Sequence, residues 1–343
     1  MRSLLIAACI SLMLQPCFAF DRFYTKVIDL NIKWQFTNTD KPEYAQKDYY
    51  DSSWDKINVP GPWELFGYPN YDGYGWYRMH VFIPSDLRGK YLYFHFERGD
   101  DVDFTYWNGK PLQSRGEFPP RYDTAFDQPR WYPIPESFIR FGEKNVIAVR
   151  MYDAVGEGGI CGGNVGIWER KIPKILLDLS GQWRFKKGTR TVYADENLND
   201  SGWSKILVPA NWESQGSEGY DGHAWYRKDF RLDRNLKGEQ LILMLGKIDD
   251  YDEVFLNGVH IGGHGLANHQ KATNATGTYF DVERYYYIPK HLLHWNKDNV
   301  LSVHVQDFQK TGGIYDGPVG ILSQKDWLDY MNMINASKNY LEE

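Results

Sequence analysis

The sequence has 343 residues, which is too long for one compact domain and suits two. Aromatic residues make up 16% of the chain and charged residues 24%, a balance that indicates a folded, β-rich protein rather than a disordered one. A formal net charge of −6 argues against nucleic acid or an anionic membrane surface as a partner.

The first residues predict a secretory signal peptide over residues 1–19. Arg2 precedes an apolar run from Leu4 to Leu14, and a short polar break then ends at Ala19. The apolar run is too short to span a bilayer, and no later run is long enough. The sequence therefore predicts an exported protein without a membrane span, either secreted or retained in a bacterial periplasm.

Cysteine usage fits that compartment. Cleavage after Ala19 would remove Cys9 and Cys17, so that Cys161 remains alone, without a disulfide partner, as a small packing residue. Cys9 superficially resembles the cysteine of a bacterial lipoprotein box, but apolar residues continue beyond it, which favours a position inside the signal. A single thiol fits a bacterial periplasm better than a disulfide-rich secretion.

An eight-residue stretch occurs twice, and the rest of the chain is arranged around it. Residues 71–78 (Tyr-Asp-Gly-Tyr-Gly-Trp-Tyr-Arg) match residues 220–227 (Tyr-Asp-Gly-His-Ala-Trp-Tyr-Arg) at six of eight positions, with an offset of 149. Other segments repeat at this offset, which later becomes 154 because the second copy has five extra residues between Gly258 and Tyr287. The duplication predicts two copies of one scaffold with one altered loop.

Each copy contains short strand-like segments and turn residues, and no long helix is predicted within it. Residues 91–96 and 241–245 are apolar at nearly every position, as in a strand covered on both faces. Asn108-Gly109 and Asn257-Gly258 predict tight hairpins, because both residue types accept a positive φ. The predicted fold class is all-β, with two tandem antiparallel β-sandwich or jelly-roll domains.

The chain ends in a predicted helix. Apolar residues recur near helical spacing from Trp327 to Ile334, and Ser323 with Asp326 can cap the helix start. The helix either packs on the second domain or docks on a partner protein. The predicted segments are a signal over 1–19, domains over 20–170 and 171–323, and a helix over 324–343.

An ordered series of motifs, present in both copies, resembles the N-terminal sugar-binding domain of glycoside hydrolase family 2. In the first copy the series comprises Asp51, Trp54, Val59-Pro60, Trp63-Glu64, Tyr71-Asp72-Gly73, Trp76-Tyr77-Arg78 and Trp107-Asn108-Gly109. The stretch from Asn145 to Ile160 is also similar to the jelly-roll module of sialate O-acetylesterases. The resemblance covers residues 28–167 and 177–321, and it implies a galactose-binding-like β-jelly roll.

The motifs that carry catalysis in these two families are missing. Family 2 enzymes place their catalytic carboxylates on a barrel after the jelly roll, and their acid/base Glu normally follows an Asn; this sequence has no Asn-Glu dipeptide. The esterases need a Gly-Asp-Ser segment, which is also absent. We expect no barrel of about 250 residues after residue 323, and therefore no catalytic residues in this chain.

The repeated Trp-Tyr-Arg motif has two interpretations. Trp76 with Arg78, and Trp225 with Arg227, pair an aromatic plane with a planar guanidinium, which suits stacking on a sugar ring and bridging of its hydroxyls. Alternatively, each Trp fills the sandwich and each Arg pairs with a carboxylate. The occurrence of the motif in both copies favours this second interpretation.

Acidic residues in loops are further candidates. Asp72 and Asp221 lie just before a predicted strand, where they could accept hydrogen bonds from sugar hydroxyls or bond their own backbone in a turn. Asp153 and Asp307 precede glycine-rich segments and are predicted to lie at the rim of the sandwich. These four carboxylates would suit a hydroxyl-rich ligand.

The positions where the copies differ would distinguish two ligands. Tyr74 in the first copy is replaced by His223 in the second, and His264 lies near the lengthened loop. The complete set of predicted carbohydrate-binding residues is Asp72, Tyr74, Trp76, Arg78, Asp153, Asp221, His223, Trp225, Arg227, His264 and Asp307.

Two acidic clusters and one histidine cluster could hold metal ions. Residues 100–103 and 249–252 each contain three acids at matching positions, which could bind Ca²⁺ or supply the paired carboxylates of glycoside hydrolysis. Consecutive Asp residues on a strand point to opposite faces, so we expect no catalytic pair within a cluster. His260, His264 and His269 have a spacing that Zn²⁺ could use, but without helical support. The prediction is therefore no cofactor, with a structural Ca²⁺ as the alternative.

The sequence favours an exported carbohydrate-binding protein that is accessory to glycan breakdown. Two alternatives stay open. One is a divergent glycoside hydrolase, similar to β-galactosidases, or a carbohydrate esterase, with its site between the two domains. The other is a structural subunit of a hydrolase assembly that uses the C-terminal helix.

Overall fold

The computed structural model describes residues 23–265 and 279–339, with side chains as far as residue 335. The predicted signal peptide, His269 and residues 340–343 lie outside the described residues. Within the described ranges, no helix is long and apolar enough to cross a membrane.

The first unit is a sandwich of two antiparallel sheets. The structure describes its strands as β1 (Tyr24–Asp29), β2 (Lys33–Thr37), β3 (Asp55–Asn58), β4 (Gly73–Ile83), β5 (Tyr91–Asp100), β6 (Val102–Trp107), β7 (Lys110–Arg115), β8 (Arg130–Pro133), β9 (Glu143–Asp153) and β10 (Gly159–Arg170). One sheet has the order β3-β2-β4-β9-β6-β7, and the other has the order β1-β10-β5-β8.

The second unit repeats this arrangement strand by strand. Its strands are β11 (Leu177–Asp178), β12 (Gly181–Lys187), β13 (Ser204–Val208), β14 (Gly222–Arg231), β15 (Leu241–Asp249), β16 (Tyr251–Leu256), β17 (Val259–His264), β18 (Glu283–Tyr287), β19 (Asp298–Asp307) and β20 (Gly313–Ser323). The sheet orders are β13-β12-β14-β19-β16-β17 and β11-β20-β15-β18. The predicted fold class, two tandem antiparallel sandwiches, is confirmed.

The central strand β5 is covered on both faces, as its continuous apolar sequence predicts. Leu92, Phe94 and Phe96 point into the sandwich core. On the opposite face, the His95 ring stacks on Trp131 at 3.8 Å between centroids. The equivalent strand β15 is also buried on both faces, so this prediction holds in both units.

The helix α1 (Gln324–Asn339) follows β20 directly and covers the outer face of β15. Ile242 and Met244 of β15 pack with Tyr330 of the helix. The predicted cap is present: the Ser323 hydroxyl accepts a bond from the Asp326 N–H at 3.0 Å and donates to its carboxylate at 2.6 Å. The helix thus packs on the second unit, as one of the two predictions states.

Tight Asn-Gly turns connect β6 to β7 and β16 to β17. Asn108 and Asn257 have φ values of 51° and 49°, and Gly109 and Gly258 have φ values of 81°. A positive φ at both central residues matches the twist of the flanking strands. The extra residues of the second copy fall between β17 and β18, a connection of which 266–278 lie outside the described residues.

Candidate functional site

Trp76 and Arg78 are buried on the face of β4 that points away from the sandwich core. They are 1% and 0% exposed. The Arg78 guanidinium donates to the Asp51 carboxylate at 2.7 Å and to main-chain carbonyls of the segment 44–49, two of them at 3.0 and 3.3 Å. Arg78 therefore fastens this segment onto the sheet.

The second copy has the same construction. Trp225 is 0% and Arg227 2% exposed. Arg227 donates to the Asp200 carboxylate at 2.7 Å and to main-chain carbonyls of residues 193 and 195 at 2.7 and 3.0 Å. Burial of both Trp–Arg pairs and the internal hydrogen bonds of the two arginines favour the second interpretation, in which these residues support the scaffold.

Tyr74 lies at the surface beside groups from other parts of the first unit. The Arg150 guanidinium carbon lies 4.5 Å from the Tyr74 ring centroid and 4.5 Å from that of Phe118. Asp40 holds Arg150 in place by accepting hydrogen bonds at 2.8 and 2.5 Å. One guanidinium group therefore contacts two aromatic rings at this surface.

His223, at the position equivalent to Tyr74, belongs to a different arrangement. Its Nδ1 lies 3.2 Å from Nε2 of His304, whose Nδ1 lies 3.3 Å from a carboxylate oxygen of Glu253. The His304 ring stacks on Trp225 at 4.6 Å between centroids. Burial lowers the pKa of both histidines. The two copies therefore present different chemistry at this place.

The remaining loop candidates differ in their exposure. Asp72 and Asp221 are exposed, each directly before its strand. His264, at the end of β17, is half-buried, and its Nδ1 lies 3.1 Å from the Tyr286 hydroxyl. Asp153 and Asp307, which were predicted at the rim, end the strands β9 and β19, and they are 0% and 1% exposed.

The buried Asp153 belongs to a cluster of three carboxylates. Oxygens of Asp100, Asp101 and Asp153 lie within 4.8 Å of one another, and Asp249, Asp250 and Asp307 form the same group in the second unit. The expectation that neighbouring acids point to opposite faces is wrong here, because the chain passes from one sheet to the other between Asp100 and Val102.

Burial and like charge raise the pKa values of two acids in each group, Asp100 and Asp153 in the first unit and Asp249 and Asp307 in the second. Burial, reinforced by the carboxylates of Asp101 and Asp153, raises the pKa of Asp100 to about 7. Burial, reinforced by Asp250 and Asp307, raises the pKa of Asp249 to about 9. Crowded acids of this kind favour bound protons or a bound cation.

The third acid of each predicted cluster faces elsewhere. Asp103 and Asp252 are 0% exposed. Each accepts a hydrogen bond at 2.8 Å from a fully buried arginine, Arg130 in the first unit and Arg284 in the second. These two acids form structural ion pairs and are not part of the trios.

A cleft of about 210 Å³ lies between the two units. Aromatic and charged side chains line it, among them Tyr74, Phe104, Phe118, Arg121, Arg150 and Glu218. Glu213 also borders the cleft, but it is only 7% exposed and accepts a bond from the Gly312 N–H at 3.1 Å. Burial raises its pKa to about 9.

Of the predicted residues, the structure brings only Tyr74 to this cleft. Phe118 and Arg121 lie in the connection between β7 and β8, and Glu218 comes from the other unit. No local pattern marks these residues in the sequence. Arg150 was detectable in principle, since it occupies the position of His304 in the second copy, where the copies differ.

The fold and cleft define the class of protein: a tandem antiparallel β-sandwich with a polar, aromatic-lined groove between its units. No protein-family model matches the chain. Curated relatives match it in part. A beta-glucuronidase of Formosa agariphila is 26% identical over 147 residues, or 38% of this chain. A beta-galactosidase of Bacteroides ovatus is 24% identical over 178 residues, or 48% of this chain.

The matched stretches cover 14% and 19% of those two relatives. Among solved structures, a beta-glucuronidase of Bacteroides uniformis has a TM-score of 0.37 at 14% identity, covering 83% of this chain and 28% of its own. A beta-glucuronidase of glycoside hydrolase family 2 has a TM-score of 0.38 at 16% identity, with 84% and 27% covered. The resemblance to family 2 enzymes, over part of the chain, is confirmed; the resemblance to sialate O-acetylesterases stays a prediction.

Proposed function

We propose that this protein binds carbohydrate and that the glycan lies in the cleft between the two units. The observation that carries the proposal is the lining of the cleft, where the rings of Tyr74 and Phe118 stand beside Arg121 and Glu218. Sugars present apolar CH faces that pack on aromatic rings, and hydroxyls that bond to charged side chains.

Two further features support an accessory role in glycan breakdown. The relatives that match this chain are named as beta-glucuronidases and beta-galactosidases. The N-terminal sequence predicts export, which would place the protein where extracellular glycans are processed. We infer a secreted or periplasmic protein that holds a glycan for a separate hydrolase.

Hydrolysis in the cleft is the alternative function. It requires two carboxyl groups on opposite sides of one glycosidic bond, about 5 to 9.5 Å apart. Glu213 borders the cleft, but one of its carboxylate oxygens is buried without a partner and the other is bonded to Gly312. Glu117 lies 3.9 Å from Arg121. Glu218 is the remaining carboxylate of the cleft, so the test for hydrolysis depends on it.

The test is a glycan array followed by calorimetric titration of the best ligand. Replacement of the ring in Phe118→Ala should weaken binding by about 3- to 10-fold, the range for one aromatic contact. Tyr50 is 76% exposed and does not line the cleft, so Tyr50→Ala is the matched control and should bind as the unaltered protein does.

Two results would contradict carbohydrate binding as the function, and a third would contradict the place of the glycan in the cleft. One is an array without any bound glycan. The other is turnover of an aryl β-glucuronide or β-galactoside that is lost in Glu218→Gln, because that variant would show a catalytic carboxylate in the cleft. An equal loss of affinity in Phe118→Ala and Tyr50→Ala would move the site away from the cleft.

A further inference from the structure

Within the described part of the chain, the two aspartate trios form no ion pair with a cationic side chain. Each trio brings three carboxylate oxygens within 4.8 Å of one another. Among the described residues, no Lys, Arg or His nitrogen comes within 4.0 Å of any of these six aspartates. All of these acids are buried except the half-buried Asp249. Carboxylates at this spacing repel one another unless a proton or a cation lies between them.

A second observation points to a bound group. Asp153 Oδ1 accepts the Val155 N–H at 3.1 Å, but its Oδ2 is buried and has no hydrogen-bond partner. Asp307 repeats this: Oδ1 accepts the Gln309 N–H at 3.1 Å, and Oδ2 has no partner. Both residues are at least 99% buried, and a buried carboxylate oxygen without a partner is rare.

The middle acid of each trio is already fixed in place. Asp101 accepts the Thr124 hydroxyl at 2.5 Å and the Ala154 N–H at 3.0 Å, one on each oxygen. Asp250 accepts the Phe308 N–H at 3.2 Å. Each of these oxygens keeps a further lone pair, so the carboxylate is held in position and can still bind a ligand.

We propose that each trio binds one Ca²⁺ ion. The ligand set consists only of carboxylate oxygens, which hard divalent cations prefer, and Ca²⁺ tolerates irregular geometry completed by water or carbonyl oxygens. Mg²⁺ fits less well, because it requires a near-ideal octahedron and gives up its water reluctantly. The ion would join the ends of β5 and β9 in the first unit and of β15 and β19 in the second.

The proposal is tested on the full chain by removing metal with a chelator and titrating Ca²⁺ calorimetrically. The expected result is two ions bound per chain and a higher melting temperature with Ca²⁺ than with chelator. Asp153→Asn and Asp307→Asn keep the side-chain shape and should each lose one of the two ions. Asp86→Asn, an exposed surface change, should keep both.

A lanthanide probe covers the case in which the variants do not fold. A Cβ on Gly158 would lie 2.2 Å from the Trp63 ring and 2.8 Å from Asp153 Oδ2, so this indole lies close enough to the trio to sensitise Tb³⁺ luminescence. Sensitised Tb³⁺ emission that Ca²⁺ displaces would support the site. The absence of heat and of emission up to about 10 mM metal, ten times the weakest ordinary Ca²⁺ sites, would show that the trios hold protons and would overturn the proposal.

Discussion

At the scale of single residues, Arg78 explains why the repeated motif ends in arginine. Its planar guanidinium presents donors in several directions at once, which one lysine cannot match. Those donors bind the Asp51 carboxylate and the carbonyls of the segment 44–49. In the second copy, Arg227 makes the equivalent bonds. The motif therefore repeats because the scaffold repeats.

Replacement of this arginine should destabilise the first unit. Arg78→Leu leaves the buried Asp51 with only the His80 ring, at 2.8 Å, and should lower the free energy of unfolding by about 3 kcal/mol. Burial would raise the pKa of Asp51, but hydrogen bonds from Arg78 and His80 outweigh it and hold that pKa below its ordinary value. The difference in free energy of unfolding between the unaltered protein and Arg78→Leu should therefore be largest above about pH 4 and become smaller at lower pH.

Urea denaturation at several pH values measures this difference. Arg231→Leu is the control, since it breaks an ion pair with Asp298 whose side chains are 70% and 62% exposed. Water and salt screen such an exposed pair, so the control should change stability little. Equal losses in the two variants would show that Arg78 does not act through its buried contacts.

At the scale of elements, the helix α1 shows what a local signal can specify. Ser323 and Asp326 predicted the helix start, and the structure has the reciprocal side-chain and main-chain bonds of a cap. Tyr330 then packs on Ile242 and Met244, while Leu328 is 45% exposed. Docking of this helix on a partner stays a prediction.

Loss of the cap should loosen the start of the helix. Ser323→Ala removes the acceptor for the Asp326 N–H and should cost about 1 kcal/mol of stability. Amides in the first turn of α1 should exchange with solvent faster, as measured by hydrogen exchange. Ser53→Ala, at an exposed position, is the control; unchanged exchange in Ser323→Ala would mean that packing alone fixes the helix start.

Features that depend on neighbouring residues could be predicted from the sequence, whereas features that join distant residues could not. The Asn108-Gly109 turn and the helix cap depend on neighbours in sequence, so the residue types at these positions indicate the local geometry. Asp153 joins Asp100 and Asp101 from a strand some fifty positions away, and Phe118 and Glu218 line the same cleft from different units. Such groupings depend on how sheets and domains pack, and hydrophobic periodicity and composition do not indicate that packing.

At the scale of the whole molecule, buried polar contacts join the two units. The Tyr93 hydroxyl donates to the Asp316 carboxylate at 2.6 Å, and the Asn211 amide donates to the Ser114 carbonyl at 3.1 Å. Arg170, at the end of β10, donates to the Gly317 carbonyl at 2.6 Å and also pairs with Glu283. Contacts of this kind fix the width of the cleft, because its walls come from both units.

Arg170 should therefore couple the two units during unfolding and keep the cleft in shape. Arg170→Leu leaves Glu283 and Asp316 without their shared cation, at a cost of about 3 to 5 kcal/mol. Calorimetry should show one transition for the unaltered protein and a lowered or divided transition for the variant. Affinity for the cleft ligand should fall in the same variant, although Arg170 does not line the cleft.

The control is Lys310→Met, which breaks an ion pair with Asp123 across the same boundary. The side chains of this pair are 58% and 42% exposed, so the control should change neither the transition nor the affinity by much. A single transition with an unchanged midpoint in Arg170→Leu would mean that the units are held together by other contacts.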